Sequence, residues 1–158
     1  MSAGRDVSTG ASEILIRALD ARDIPAVLAI LQESPEAASW SQESLLQLES
    51  VGQSARVAER NGVVAGFLIG RSAADEFEIL NMAVSSAQRR RGIGSKLLTF
   101  ALNSAREGGV VRVYLEVRAS NEAAITLYMA HGFRECGRRP RYYGNPIEDA
   151  LLMSLELA

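Results

Sequence analysis

The feature that most constrains the fold is a strand followed by a basic, glycine-containing segment. Leu80–Val84 is an apolar run typical of a strand, and Gln88–Lys96 carries three arginines, one lysine, two glycines and no acid. Gly92 and Gly94 lack a Cβ, so the backbone there can turn tightly and approach a ligand. The helix predicted behind them would present unpaired N–H groups and the positive end of its dipole. The segment therefore predicts a strand–loop–helix unit that could cradle a di- or polyphosphate.

The basic segment alone leaves two interpretations open. Its glycine spacing fits neither the dinucleotide-binding fingerprint, which needs one more spaced glycine, nor a Walker loop. A strand-to-helix turn with a solvated basic face would have the same residues. Signals in the rest of the sequence are needed to tell whether the basic segment binds a ligand or is a solvated turn.

Length and composition restrict the class of protein. With 158 residues, of which 47% are hydrophobic, the chain can form one domain with a sizeable core. A net charge of -2 argues against a general nucleic-acid binder, and no apolar run reaches membrane-spanning length. The single cysteine excludes an internal disulfide and fits a reducing compartment, so we expect a cytoplasmic protein. Residues 1–12 lack a hydrophobic signal region, and we expect a frayed, disordered extension before a single domain over residues 13–158.

The order of periodic segments predicts a mixed α/β sheet covered by helices. An apolar strand at Ile14–Arg17 is followed by two helical segments, and Arg60-Asn61-Gly62 joins two apolar runs as a hairpin. Glu76–Val84 is the next strand, and Gly108-Gly109 ends the helix after the basic segment. The complete order is β-α-α-β-β-β-α-β-α-β-β. A hairpin before a strand–helix–strand–helix–strand run predicts three layers, α/β/α, with helices on both faces of the sheet.

The end of the chain carries weaker signals. Phe133–Gly137 and Asp149–Leu157 are predicted as the last two strands, and Arg138–Pro146 would connect them. Cys136 falls on the first of these strands, where we expect burial as a small apolar residue. His131 would end the preceding helix and be stabilised by its dipole. No His/Cys/Asp/Glu cluster has the spacing of metal ligands, so no metal is expected.

Three polar residues are candidates for chemistry beside the basic segment. Glu116 lies on the strand predicted after the loop helix, while Asn121 and Tyr128 share a face of the next helix. A right-handed crossover would place the Glu116 strand beside Leu80–Val84. The crevice at the carboxyl ends of the two strands, a common place for ligands, would then hold the basic segment together with Asn121 and Tyr128. Each also has a structural interpretation when taken alone, with Glu116 as a solvated strand residue and Tyr128 as a core residue.

These motifs resemble those of the GNAT superfamily of N-acetyltransferases. Leu80–Val84 followed by Arg89-x-x-Gly92-x-Gly94 is similar to the acetyl-CoA signature of that superfamily. Other segments are similar to the bacterial RimI-type enzymes, which acetylate the N-terminal alanine of a small-subunit ribosomal protein. These segments are Leu115–Asn121, Ala124–Tyr128, Gly132-Phe133, Arg141–Tyr143 and Glu148–Met153. The resemblance spans Ile14 to Leu157.

The resemblance implies a GNAT fold, acetyl-CoA as cosubstrate, and a role for each matching residue. The backbone of Met82, Ala83 and Val84 would bind the pantetheine arm and the thioester. Backbone N–H groups would cradle the pyrophosphate along Arg89, Arg90, Arg91, Gly92, Ile93, Gly94 and Ser95. Asn121 would hydrogen-bond the pantetheine region, Glu116 would be the general base, and Tyr128 would be the general acid.

Acid–base chemistry favours one class of acceptor. An α-amine with a pKa near 8 is roughly one-tenth neutral at pH 7, which costs about 1.4 kcal/mol, whereas a lysine amine begins more than about 4 kcal/mol short. One carboxylate therefore suffices more easily for a terminal amine. A tyrosine pKa near 10 and a thiol pKa near 8.5 are close enough for a tyrosine to protonate the leaving thiolate. We expect a protein or peptide N-terminus as partner, with a ribosomal protein as one example, and a monomer or weak dimer.

Two alternatives stay open at this point. The acceptor could be a small-molecule amine or a lysine side chain, and a non-catalytic acyl-CoA-binding module could keep the same fold. The presence of both Glu116 and Tyr128 argues against the non-catalytic module. Residues 144–147 form a shorter connection than is common in RimI-type enzymes. Because this loop would line the acceptor side, its length could change which acceptor is preferred.

Overall fold

The computed structural model of the protein describes residues 13–34 and 40–157, which form seven strands and four α-helices. The strands are β1 (Ile14–Ala18), β2 (Gln53–Arg60), β3 (Val63–Ala73), β4 (Glu76–Val84), β5 (Arg112–Arg118), β6 (Arg134–Tyr143) and β7 (Glu148–Glu156). The helices are α1 (Ile24–Gln32), α2 (Gln42–Leu46), α3 (Ile93–Glu107) and α4 (Glu122–Ala130). The predicted element order is therefore confirmed. The expected extension over residues 1–12 lies outside the described residues, and the domain limits stay a prediction.

The strands form one sheet in the order β1-β2-β3-β4-β5-β7-β6. β4 and β5 are parallel, and the other neighbouring pairs are antiparallel. The predicted crossover is confirmed, because α3 connects β4 to β5 and the two strands lie side by side. The sheet is mixed, as expected.

Each face of the sheet has its own apolar core. Phe67 and Ile69 of β3 are fully buried with residues of α1 and α2. Leu68 lies between them in sequence and packs in the other core, with residues of α3 and α4. Successive side chains of a strand point to opposite faces, so this division follows from the alternation along β3. The predicted three-layer arrangement is confirmed.

Local turn and cap signals form as the sequence indicates. Asn61 and Gly62 both have positive φ angles, 56° and 77°, as a two-residue hairpin turn requires. Ser41 caps α2, and its Oγ accepts a hydrogen bond from Ser44 N at 3.0 Å. His131 follows α4 directly, where its Nδ1 lies 3.1 Å from the carbonyl oxygen of Leu127. These contacts set the ends of the elements that surround the site.

The predicted ends of β6 and of its connection are wrong. β6 continues past Gly137 to Tyr143, so the loop to β7 contains only residues 144–147. Pro140 and the arginines around it indicated a connection, yet β6 is an edge strand of the sheet. An edge strand tolerates proline because one of its sides needs no ladder hydrogen bonds. Acidic and basic side chains on this strand therefore stand at the sheet edge, close to β7.

The expected burial of Cys136 is also wrong, because its side chain is exposed. Glu135 pairs with Met153 and Gly137 with Leu152, so Cys136 is an extra residue in β6 without a partner on β7. Such a β-bulge disrupts the regular alternation of faces. None of the helices in the described part of the chain is long and apolar enough to cross a membrane.

Candidate active site

β4 and β5 pair over only part of their length. Parallel pairing begins at Glu76 and stops after Ile79, which lies opposite Leu115. Beyond that point β4 remains paired with β3 as far as Val84, while β5 remains paired with β7 as far as Arg118. The two strands therefore diverge into an opening between residues 80–84 and 116–118, which we call the β4–β5 cleft.

A β-bulge in β4 accounts for the divergence. Ile69 and Gly70 are consecutive on β3, but their partners on β4 are Asn81 and Ile79, so Leu80 is an extra residue. A bulge bends its strand and increases its twist. This bulge immediately follows the last β4 residue that pairs with β5, and it turns the end of β4 away from its neighbour.

The three residues predicted to bind pantetheine lie along this diverging end of β4. Met82 and Val84 pack against the core beside α3 and α4, whereas Ala83 is buried on the α1 and α2 side. Their side chains are therefore used for packing. The strand edge that faces the cleft has lost β5 as its neighbour, so its backbone groups can pair with a ligand inserted between the strands.

The N-terminus of α3 stands at the open end of the cleft. Gly92 precedes the helix with a φ of 79°, a left-handed conformation that glycine adopts without strain. The first helical hydrogen bond runs from Lys96 N to the carbonyl oxygen of Gly92 at 3.0 Å. The backbone N–H groups of Ile93, Gly94 and Ser95 precede it and have no acceptor within the helix. These donors suit an anionic group.

The arginines of the basic segment divide into two kinds. Arg89 bends back, and its guanidinium donates to the carbonyl oxygen of Val84 at 3.2 Å and to Ser34 Oγ at 3.4 Å. Its side chain therefore fastens the segment to the end of β4. Arg90 and Arg91 are exposed, and Arg90 has a positive φ of 65°. The segment thus combines a tethered residue with two exposed cations beside the start of α3.

Helix α4 closes the other side of the cleft. Gly94 of α3 packs against it so closely that a Cβ there would lie 3.2 Å from Leu127 Cδ2. Ser95 Oγ lies 3.2 Å from Nε2 of His131, which joins the first turn of α3 to the end of α4. Asn121 caps α4, and its Oδ1 accepts a hydrogen bond from Ala124 N at 3.2 Å. Its side-chain NH₂ is the group that remains for a ligand.

Tyr128 is buried on the inner face of α4. Its ring meets Phe133 edge-on with a centroid distance of 5.7 Å. Burial raises the pKa of Tyr128 to about 12, with a smaller contribution from Tyr143. The expectation of a pKa near 10 is therefore wrong for this site. The phenol therefore stays protonated at neutral pH.

Glu116 lines a cavity of about 220 Å³ on the opposite face of the sheet. Its strand neighbours Leu115 and Val117 belong to the core beside α3 and α4, so the alternation directs Glu116 to the other face. The cavity is lined by Glu78, Tyr114, Leu115, Glu116, Arg139 and Leu152. Glu116 and Tyr128 can approach one ligand from opposite faces because β4 and β5 diverge at this point.

Two cations flank the acidic groups of this cavity. Glu116 Oε2 lies 2.6 Å from Nε of Arg139 but has no well-aligned hydrogen-bond donor among the described residues. Glu78 pairs with Arg71 at 2.5 Å, so its carboxylate is held by the neighbouring strand. Tyr143 is linked to the same site. Burial raises the pKa of Tyr143, and the charge of Glu116 raises it further.

Arg118 fastens the loop between β6 and β7. Its guanidinium donates to the carbonyl oxygens of Gly144 and Pro146 at 3.3 and 3.4 Å, and to Glu148 Oε1 at 3.3 Å. It also lies 4.3 Å from the centroid of the Tyr143 ring. One half-buried side chain therefore holds the loop predicted to line the acceptor side.

Sequence reasoning did not assign roles to Arg118, Arg139 or Tyr143. The cavity brings together Glu116 of β5 and Arg139 of β6, two strands that lie on either side of β7, and no local sequence pattern indicates that arrangement. The spacing of Tyr143 and Glu148 predicted only a short loop, and did not indicate that Arg118 would hold it. No group of three or more potential metal ligands occurs in the part of the chain that the structure describes.

Comparison with known proteins identifies the family. The family model of the acetyltransferase (GNAT) family matches residues 24–133. The chain is 34% identical to the [ribosomal protein bS18]-alanine N-acetyltransferase of Escherichia coli strain K12 over 145 residues, 90% of this chain and 97% of that protein. It is 42% identical to the N-alpha-acetyltransferase RimI of Mycobacterium tuberculosis over 100 residues, 61% of each chain.

Solved structures agree with these sequence matches. The crystal structure of the ribosomal-protein-S18-alanine N-acetyltransferase from Escherichia coli superposes with a TM-score of 0.82 at 33% identity, covering 92% of this chain and 95% of that chain. Ard1 from Thermoplasma volcanium gives a TM-score of 0.82 at 31% identity, covering 92% and 98%. The diverging strands, the basic segment and these matches lead to one conclusion: the chain is an N-acetyltransferase that belongs to the acetyltransferase (GNAT) family.

Proposed function

We propose that this enzyme transfers the acetyl group of acetyl-CoA to the α-amine of a protein N-terminus. The observation that carries the proposal is the position of Glu116. It lies at the point where β4 and β5 separate, and it lines the cavity on the side of the sheet opposite Tyr128. Relatives named for N-terminal acetylation, including one that acts on the alanine of ribosomal protein bS18, support a protein N-terminus as the acceptor.

The cleft and the basic segment fit acetyl-CoA. When bound, acetyl-CoA supplies a thioester carbon for attack by the amine and a thiolate as leaving group. The backbone of Met82, Ala83 and Val84 would hold the pantetheine arm as an added strand. The N–H groups along residues 89–95 would hold the pyrophosphate, and the side-chain NH₂ of Asn121 would bond the pantetheine region. Open space around Gly92 supports this assignment, since a Cβ there would meet no atom within 4 Å.

Glu116 and Tyr128 would divide the proton chemistry. The Glu116 carboxylate would accept a proton from the acceptor ammonium, directly or through a water. Tyr128 would donate to the leaving sulfur. The pKa of Tyr128 is about 12, whereas that of a thiol is about 8.5. With these values, complete transfer of the proton from the phenol to the thiolate would be uphill by about 5 kcal/mol. We therefore assign Tyr128 first as a hydrogen-bond donor that stabilises the thiolate, and then as its acid.

A peptide panel tests the acceptor. One peptide carries a free N-terminal alanine and no lysine, a second has the same sequence with a blocked N-terminus and one internal lysine, and a polyamine is the third substrate. We expect acetylation of the first peptide, measured by mass spectrometry, and little or none of the other two. Acetylation confined to the blocked peptide or the polyamine would contradict the proposal and would favour a lysine or small-molecule acceptor.

A further inference from the structure

The acceptor cavity contains a cation that competes with any amine substrate. The guanidinium of Arg139 lies 2.6 Å from Glu116 Oε2, the atom to which the acceptor ammonium would also be attracted. The Glu116 side chain is only 21% exposed, whereas that of Arg139 is 56% exposed. The carboxylate is therefore held inside the cavity, and the arginine reaches it from the solvent side.

Arg139 is free to leave without breaking the fold. It stands on β6, the outermost strand of the sheet, and its backbone partner there is Ala150 of β7. The guanidinium also lies 5.6 Å from the ring centroid of Tyr142, an exposed aromatic face that can hold a cation. This contact is already made while Arg139 lies beside Glu116, and it can retain the side chain when the guanidinium moves away from the carboxylate.

The ion pair with Glu116 is also imperfect. The Arg139 Nε–H does not point at Glu116 Oε2, which has no aligned donor among the described residues despite the short distance. A guanidinium binds a carboxylate most strongly through two parallel N–H bonds, and that geometry is absent from this pair. A carboxylate held by a poorly aligned cation can exchange it for a well-directed ammonium.

We propose that Arg139 occupies the ammonium position at Glu116 in the free enzyme, is displaced when the acceptor enters, and thereby sets the affinity for the acceptor amine. This inference rests on the proposed role of Glu116 and applies to any amine acceptor. Two cations cannot share one carboxylate oxygen at contact distance without repulsion. The exchange lowers the affinity for every amine by a similar factor, so an acceptor must make further contacts in the cavity to bind well.

The test measures acceptor binding to the enzyme saturated with CoA, by calorimetry, with the acceptor that the wild-type enzyme acetylates. Arg139→Gln removes the competing cation, and we expect the acceptor Kd to fall about three- to fivefold. Arg139→Lys keeps a cation and should bind like the wild type. Arg138→Gln is the matched control, because Arg138 also lies on β6 and pairs with a carboxylate, Asp149, at 3.1 Å, away from the cavity.

A double-mutant cycle shows whether the effect passes through Glu116. In a Glu116→Gln background, Arg139→Gln should leave the acceptor Kd unchanged. An unchanged or raised Kd in the single variant Arg139→Gln would overturn the inference, as would an equal fall in Arg138→Gln. Failure of this inference can be told apart from failure of the proposed acceptor. If the wild-type enzyme does not acetylate peptide α-amines, the proposed acceptor is contradicted. The displacement of Arg139 can then still be measured with the amine that the enzyme does acetylate.

Discussion

The two halves of the site are built in different ways. The proposed cosubstrate half would use backbone groups from one continuous stretch, the end of β4 and the start of α3, with Gly92 at the turn before the helix. The proposed acceptor half would use side chains from four strands, including Glu78, Glu116 and Arg139, held by ion pairs. The first half depends on local backbone conformation, and the second on which strands lie side by side.

This difference has a functional consequence. A site built from backbone groups suits the part of acetyl-CoA that is the same in every reaction cycle. It tolerates a substitution only where the new side chain points away from the bound cosubstrate. A side-chain site can change its acceptor by single substitutions that leave the sheet intact. We therefore expect substitutions in the cosubstrate half to abolish binding, and those in the acceptor half to adjust it.

The largest effect is expected for Gly92→Asp. An aspartate there strains a backbone with a φ of 79° and places a negative charge beside the predicted pyrophosphate site. Acetyl-CoA affinity, measured by calorimetry, should fall at least about 100-fold, or about 2.7 kcal/mol. Gly109→Asp is the control, because Gly109 follows the other end of α3 with a φ of 86° and similar open space. Equal losses in both variants would mean that strain, and not the anion site, explains the effect.

Tyr128→Phe tests the hydroxyl that we assign to the leaving thiolate. The phenylalanine keeps the contact with Phe133 and removes only the hydroxyl, so the melting temperature should change little. Loss of a general acid typically lowers the rate by about 100- to 10,000-fold, and we expect kcat to fall within that range. Acetyl-CoA affinity should stay within about twofold of the wild-type value. An unchanged kcat would remove Tyr128 from the chemistry.

The smallest effect is expected for Arg118→Gln in the acceptor half. Without the guanidinium, the loop over residues 144–147 loses its contacts to Gly144, Pro146 and Glu148. We expect the acceptor KM to rise roughly three- to tenfold, in the range of about 1 kcal/mol for partly exposed contacts, with acetyl-CoA affinity unchanged. Arg106→Gln, an exposed position at the end of α3, is the control and should have no effect on either constant.

A rise in the KM for acetyl-CoA in Arg118→Gln would contradict the division of the site into two halves. It would show that the acceptor loop also shapes the cosubstrate half.

Most of the fold could be predicted because its signals are local. The Asn61-Gly62 turn and the end of α3 at Gly108 each depend on residues close in sequence, and each formed as expected. β6 was misjudged because its proline is tolerated only at a sheet edge, and edge position is a property of the whole sheet. Cys136 was misjudged for a related reason, since a bulge depends on the register of β6 against β7.

By itself, the sequence determined the element order and the basic segment before α3, and it predicted Glu116 and Tyr128 as the residues for acid–base chemistry. Tertiary structure alone decided that a bulge at Leu80 would separate β4 from β5, because a bulge is defined by the pairing of two strands. That separation lets Glu116 and Tyr128 approach one ligand from opposite faces of the sheet. The burial that raises the Tyr128 pKa, and the Arg139 cation beside Glu116, likewise arise from segments far apart in sequence that meet only in the folded chain.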